Sequence, residues 1–141
     1  MIRGYFSTAK HRPFVQAIVR FPGLGNRRLT VEMLIDTGAD RTVLAPADAL
    51  RLGVDLNLLP AGALSTGVGG QMATRSIDAV LTLETFSTTL SLTVLVPPST
   101  PLPIPSLLGR DVLAHLALFF DPRTQRVLLL EPHEVDRLNV Q

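Results

Sequence analysis

Three apolar residues, Met33, Leu34 and Ile35, run without interruption into a carboxylate, Asp36, which is followed by Thr37, Gly38 and Ala39. An apolar run of this kind reads as a buried strand, and the small residues after it read as a tight turn, so the chain delivers one acid to a sharp reversal. Gly38 opens backbone conformations closed to other residues and leaves space for something to approach closely. Beyond the turn Thr42, Val43 and Leu44 resume a β-branched, apolar pattern. The loop is thereby pinned between two buried segments and Asp36 is held rigidly, as a reacting group must be. On these residues alone three readings stand: a catalytic acid, an aspartate capping its own turn, and an Asp-x-Gly phosphate loop of the actin-like kind.

The surroundings of this loop follow from alternation. Val15, Ala17, Val19 and Phe21 share one face of a strand over Phe14–Phe21, the turn Pro22–Asn26 reverses the chain, and Leu29, Val31, Met33 and Ile35 alternate with polar residues over Arg28–Ile35. A hairpin therefore leads directly into Asp36. Gly23-Leu24-Gly25 begins like a dinucleotide fingerprint, but Arg28 stands at the third glycine position and no helix follows. Pro46 to Gly53 predicts one short helix, with proline in its first turn, Asp48 near its positive end and a glycine stop. Asp55 to Ala61 is a loop. Two pairing segments within Ala63–Leu83 flank the glycine-rich tip Thr66–Gln71, and Phe86 to Val96 alternates as a further strand.

The prolines of Pro97–Pro105 exclude helix or central strand and predict an ordered loop within the domain. In Ser106–Leu118 two leucines precede Gly109, and Arg110 and Asp111 lead into a helical pattern in which Leu113, Leu116 and Ala117 share a face. Phe119–Asp121 and Arg126–Leu130 read as a closing hairpin, and the polar end Glu131–Gln141 as a short helix or a frayed tail.

With 141 residues the chain suits a single domain, residues 1–141, with a core over about 14–130, an N-terminal arm 1–13 and a C-terminal tail 131–141. A net charge of +1, from 13 basic and 12 acidic residues, offers no broad electrostatic footprint for nucleic acid or an anionic membrane. Without cysteine there is no disulfide, thiol nucleophile or thiolate metal site. The three histidines, 11, 115 and 133, are too scattered to suggest a metal centre, with His115 a packing or surface residue. No Gly-x-Ser-x-Gly elbow occurs, and no Lys-Ser or Lys-Thr pair follows Gly70 to make a phosphate-binding P-loop. Charged residues interrupt every apolar cluster of the N-terminus, so a secretory signal is not expected, no stretch reaches membrane-span length, and the expectation is a soluble, cytoplasmic protein.

DTGA between apolar flanks resembles the active-site loop of retropepsin-like aspartic proteases. Gly67-Val68-Gly69-Gly70 resembles their flap, and Leu107-Leu108-Gly109-Arg110-Asp111 resembles their apolar-apolar-glycine segment and following helix. The three matches come in family order and span most of Phe14–Leu130. The only tyrosine, Tyr5, lies far from the flap-like stretch, so the resemblance is to the retroviral rather than the pepsin-like type.

The resemblance implies an all-β closed barrel with one or two short helices and an endopeptidase that acts on peptide or protein without metal or cofactor. It implies that Asp36 is catalytic, that Thr37 links two active-site loops while Gly38 and Ala39 support the site, and that Val68, Gly69 and Gly70 cover the substrate. Asp40 and Arg110 occupy positions that form an ion pair, with the planar guanidinium gripping the carboxylate through two hydrogen bonds. Peptide hydrolysis by acids needs two carboxyl groups and the chain supplies one DTG, so a two-fold symmetric homodimer is expected. A catalytically silent dimerisation or peptide-binding module of the same fold is the alternative. The N-terminal stretch and the residues after Leu130 depart from the viral pattern, in which interleaved termini help to hold the dimer.

Overall fold

The computed structural model describes residues 1–9, 11–62, 65–67, 70–96 and 103–138, with the backbone alone for 65–67 and 70–72. The expected hairpin forms between β3 (Pro13–Phe21) and β4 (Arg27–Ile35), in the register Val15↔Met33, Ala17↔Val31 and Val19↔Leu29. All six of those side chains are buried, as are Phe21 and Ile35. Each fully buried Val, Leu, Ile, Met or Phe side chain stabilises the fold by about 1.5–3 kcal/mol relative to exposure. A second long hairpin pairs β8 (Thr74–Leu83) with β9 (Phe86–Leu95), burying Ile77, Ala79, Leu81 and Leu83 from one strand and Leu92, Val94 and Leu95 from the other.

Two short strands, β5 (Val43–Leu44) and β10 (Ser106–Leu108), join these hairpins into a ring. The order β3-β4-β10-β5-β9-β8 closes on itself where β8 pairs with β3, at Ile18↔Thr82, Val19↔Leu81 and Arg20↔Val80. The result is a closed six-stranded barrel, which leaves its member strands no open edge along that seam. The core is aliphatic, and Phe21 is the one fully buried aromatic residue among those described.

Although β4 and β5 are neighbours in sequence, β10 lies between them, parallel to β4 and antiparallel to β5. The loop after β4 must therefore arch over the C-terminal end of β10. That crossing is where Asp36 sits.

The three helices are short: α1 (Pro46–Leu50), α2 (Arg110–Leu113) and α3 (Pro132–Asp136), and none described is long and apolar enough to cross a membrane. Helix α1 stops before the expected Gly53 and continues as hydrogen-bonded turns, Leu52 N–H to Ala49 O and Gly53 N–H to Leu50 O. The predicted loop Asp55–Ala61 contains a 3-10 turn at Leu56–Leu58. The predicted glycine-rich hairpin has its arms in β6 (Ser65–Gly67) and β7 (Gly70–Met72), paired through Gly67↔Gly70, while Val68 and Gly69 lie outside the described residues. Most of the proline-rich loop, 97–102, lies outside them too.

The helix expected to run through Leu116 and Ala117 is a correction: it ends at Leu113, and Ala117 opens the strand β11 (Ala117–Asp121). Leu113 and Leu116 still pack against the core, but pairing of β11 with β12 (Arg126–Leu130), at Leu118↔Leu129 and Phe120↔Val127, overrides the helical spacing. The N-terminal arm, to which no strand was assigned, supplies two. β1 (Ile2–Arg3) pairs with β12, and β2 (Tyr5–Phe6) pairs with β3. Between them the arm squeezes past the barrel at Gly4, where a Cβ would lie 2.6 Å from Phe14 O and 2.7 Å from a Val127 methyl. Strands of two residues carry no periodicity that a sequence could reveal.

Candidate active site

Asp36 extends β4 by one backbone bond, its N–H donating to Leu108 O at 3.0 Å. Its side chain then turns into the loop: Oδ1 accepts the Gly38 N–H at 2.9 Å, and Asp36 O accepts the Ala39 N–H at 3.2 Å. This is a self-capped aspartate turn at the end of a barrel strand, with the carboxylate half-buried and Thr37 and Gly38 exposed beside it. Gly38 does not use the left-handed backbone region expected of it, since Gly25 and Gly53 are the described glycines with positive φ. What it supplies is space, because a Cβ there would crowd Asp36 Oδ1 at 3.2 Å.

The loop is tied to the segment leaving β10. Ala39 O accepts the Arg110 N–H at 2.8 Å and Asp40 O accepts the Asp111 N–H at 3.2 Å. Arg110 pairs with Asp40, but the expected two-pronged grip on the carboxylate is not what forms. Nη2 donates to Asp40 Oδ1 while Nη1 donates to Thr37 O at 2.8 Å. The guanidinium thus spans the loop from one end to the other, holding the carbonyl next to Asp36 as well as the acid. Both partners are largely exposed, so the ion pair itself contributes at most about 1 kcal/mol and its effect is positional.

A second anchor was not anticipated from sequence. Thr42 is fully buried, and its Oγ1 donates to Asp111 Oδ1 at 2.7 Å while accepting the Gly109 N–H at 3.1 Å. Both Asp111 oxygens also face the Thr42 N–H, at 2.9 and 3.0 Å. The two backbones approach so closely that a Cβ on Gly109 would lie 2.5 Å from Arg41 C and O and 2.9 Å from Thr42 N. Only glycine fits there, which explains the glycine of Leu107-Leu108-Gly109 without appeal to φ, since its φ of −96° suits any residue. The available signal was a pair of polar residues, Thr42 and Asp111, each at the start of a short apolar run. Nearby, buried Ser106 accepts the Ala45 N–H at 2.8 Å and donates to Asp48 Oδ2 at 2.7 Å, fixing β10 to the start of α1.

Chemically the loop offers one carboxylate in a fixed orientation. The other acids tied to this loop are engaged elsewhere, Asp40 with Arg110 and Asp111 with Thr42. One cluster of metal-type ligands occurs among the described residues, Glu131, His133 and Glu134. It is accounted for as the start of α3, where the two glutamates form a reciprocal cap and Glu134 also pairs with the terminal amine at 2.6 Å.

The family model described as "gag-polyprotein putative aspartyl protease" matches residues 23–115, about two thirds of the chain. No curated protein sequence matches. Among solved structures, the chain is similar to EIAV protease, determined in complex with the inhibitor HBY-793, with 25% identity, 77% of this chain and 90% of that one covered, and a TM-score of 0.54. A retropepsin-like aspartic protease from Rickettsia conorii superposes with a TM-score of 0.65, covering 89% of this chain and 87% of that one at 19% identity, a likeness of fold.

Proposed function

Because the chain belongs to the gag-type aspartyl protease family, we propose that it is an aspartic endopeptidase whose site is assembled from Asp36 of two copies. The observation that carries this reading is the placement of Asp36: one half-buried carboxylate, at the end of a barrel strand, in a loop braced at Thr37, Ala39, Asp40 and Thr42. Two such carboxyls brought together share one proton, the arrangement for which aspartic proteases are the standard example. The ionised Asp36 takes a proton from water as the water oxygen attacks the peptide carbonyl carbon, and the protonated carboxyl of the partner subunit's Asp36 donates to the carbonyl oxygen. The tetrahedral diol then collapses, the C–N bond breaks, and the nitrogen departs with a proton returned by the pair. Thr37 and Gly38, exposed beside the acid, meet the partner loop and the substrate backbone, and the hairpin containing Val68, Gly69 and Gly70 covers the bound peptide.

The test is incubation with a diverse peptide library, comparing the native chain with Asp36→Asn across pH. Cleavage by the native chain, with a bell-shaped profile centred on acid to mildly acid pH, and its loss in a variant that folds and assembles normally, is the expected result. Cleavage by Asp36→Asn at the native rate refutes the assignment. A native chain that binds peptides without cleaving them establishes a binding module instead.

A further inference from the structure

We infer that the groove between the N-terminal arm and the closing hairpin is a binding site for a small amphiphilic anion, a carboxylate joined to an apolar chain, with Arg3 and Arg126 taking the carboxylate. The groove has a volume of about 380 Å³ and is lined by Met1, Arg3, Gln125, Arg126, Val127 and Leu128. Small-molecule sites measure about 300–1,000 Å³ and combine apolar walls with a few convergent polar groups, as this one does. It shares no lining residue with the pocket beside the Asp36 loop, which is formed by Thr37, Arg110, Leu113, Ala114 and Leu118. A ligand held in the groove needs no protease activity to bind.

Strand pairing brings the two guanidiniums to one face. Arg3 on β1 stands opposite Leu128 on β12, and Arg126 precedes Leu128 by two residues, so all three side chains project from the same side of the sheet. Both arginines are exposed and Leu128 is half-buried, which makes that side the one facing solvent. Arg3 and Arg126 are diagonal neighbours, a backbone spacing of about 7–8 Å that long side chains reach across. Arg126 is already positioned: its Nε donates to Thr124 Oγ1 at 3.1 Å and its guanidinium lies over the Phe119 ring at 5.5 Å, so the two terminal nitrogens are left for a ligand.

Two cations set side by side repel, and the chain supplies no counter-charge. Among the described residues neither guanidinium forms an ion pair, because the neighbouring acids are engaged. Glu134 pairs with the Met1 amine at 2.6 Å, Glu84 accepts the Arg3 backbone N–H at 3.3 Å, and Asp121 is held by Arg123 and Thr124. A carboxylate would accept charge-assisted bonds from both arginines. Its chain would cover Met1, which is 53% exposed, and Leu128. An inorganic anion satisfies the arginines but leaves the apolar walls in water, and a neutral apolar molecule does the reverse. Strand β1 is two residues long and is held to β12 by the pairs Ile2↔Leu129 and Arg3↔Leu128, so a ligand gripped by one arginine from each strand also ties the arm to the hairpin.

The test is calorimetric titration of the native chain at neutral pH with two probes of this chemistry, octanoate and the dipeptide acetyl-Leu-Leu with a free C-terminus. Acetate and octanol supply the two halves separately. Octanoate, the dipeptide or both should bind more tightly than acetate and octanol; binding of octanoate alone assigns a fatty-acid type of ligand, and binding of the dipeptide alone a peptide C-terminus. Arg3→Met and Arg126→Met, which keep apolar stems, should each weaken that binding at least about tenfold, and together abolish it, while the circular dichroism stays native. Arg3→Met carries the comparison by itself if the double variant misfolds, since the Arg3 guanidinium has no hydrogen-bond partner among the described residues. Binding of neither amphiphile at about 10 mM, acetate or octanol binding as tightly as octanoate, or an affinity unchanged in the arginine variants overturns the site.

Discussion

Replacing Thr42 by valine retains the shape of a fully buried side chain and deletes only its hydroxyl. The hydroxyl makes two bonds of different kinds. The donation to Asp111 Oδ1 at 2.7 Å is a bond to a charged group, a class that contributes about 1.5–3 kcal/mol. The acceptance from Gly109 at 3.1 Å satisfies a buried N–H, and leaving that donor without a partner costs about 1–3 kcal/mol. Asp111 keeps the Thr42 and Val112 N–H groups, and the two losses share one atom, so they do not add in full. A net destabilisation of about 2–4 kcal/mol follows. It is measured by urea titration at a fixed protomer concentration, since assembly shifts the apparent midpoint. With a slope of about 2 kcal/mol per molar, the midpoint falls by about 1–2 M. Thr42→Ser, which keeps the hydroxyl, should recover most of the loss. Under conditions where the valine variant is still folded, peptide cleavage should nevertheless be reduced, because the loop carrying Asp36 has lost its distal anchor. A destabilisation below about 0.5 kcal/mol, the level of an ordinary surface change, would refute the claim that this clamp holds the loop.

Other expectations are simpler. Gly109→Ala should destabilise by about 1–3 kcal/mol or more in the same titration, because its methyl meets the Arg41 carbonyl at 2.5 Å, whereas Gly23→Ala, with nothing within 4 Å, should be near neutral. Arg110→Lys keeps the charge but cannot hold Thr37 O and Asp40 together, so cleavage or dimer affinity should fall while stability changes by less than about 1 kcal/mol. Hydrogen bonds from Arg123 first, and then Thr124, hold the Asp121 carboxyl below its usual pKa. Its contribution is therefore present above the ordinary carboxylate value and lost as pH falls through the lowered one. Asp121→Asn should thus be less stable than the native chain at neutral pH, with the difference closing in strong acid; a difference that grows on acidification would contradict this assignment.

Much of the architecture was legible because it repeats with a period. The alternation in Val15–Phe21, Leu29–Ile35 and Leu90–Val96 gives three of the barrel strands directly, and an apolar run ending in Asp36-Thr37-Gly38 marks the candidate site, since a buried strand that stops at an acid and a glycine has few physical explanations. The order of the three short motifs was enough to indicate the family, and Asp40 and Arg110 could be paired through it. What tertiary structure decided has no period. Placing β10 between β4 and β5 makes the Asp36 loop a bridge, and a parallel pairing of Met33 with Ser106 leaves no mark on either segment. The Thr42–Asp111 clamp joins residues 69 apart in sequence, and the guanidinium of Arg110 divides between a side chain and a carbonyl only because both are within reach in three dimensions. The helix expected through Ala117 yields to strand pairing, and the arm at Ile2–Arg3 becomes a strand because β12 offers it an edge. Local spacing specifies which face of an element is apolar; which other element covers that face, and which donor meets which acceptor, is settled only when distant segments compete for the same hydrogen bonds and the same buried volume.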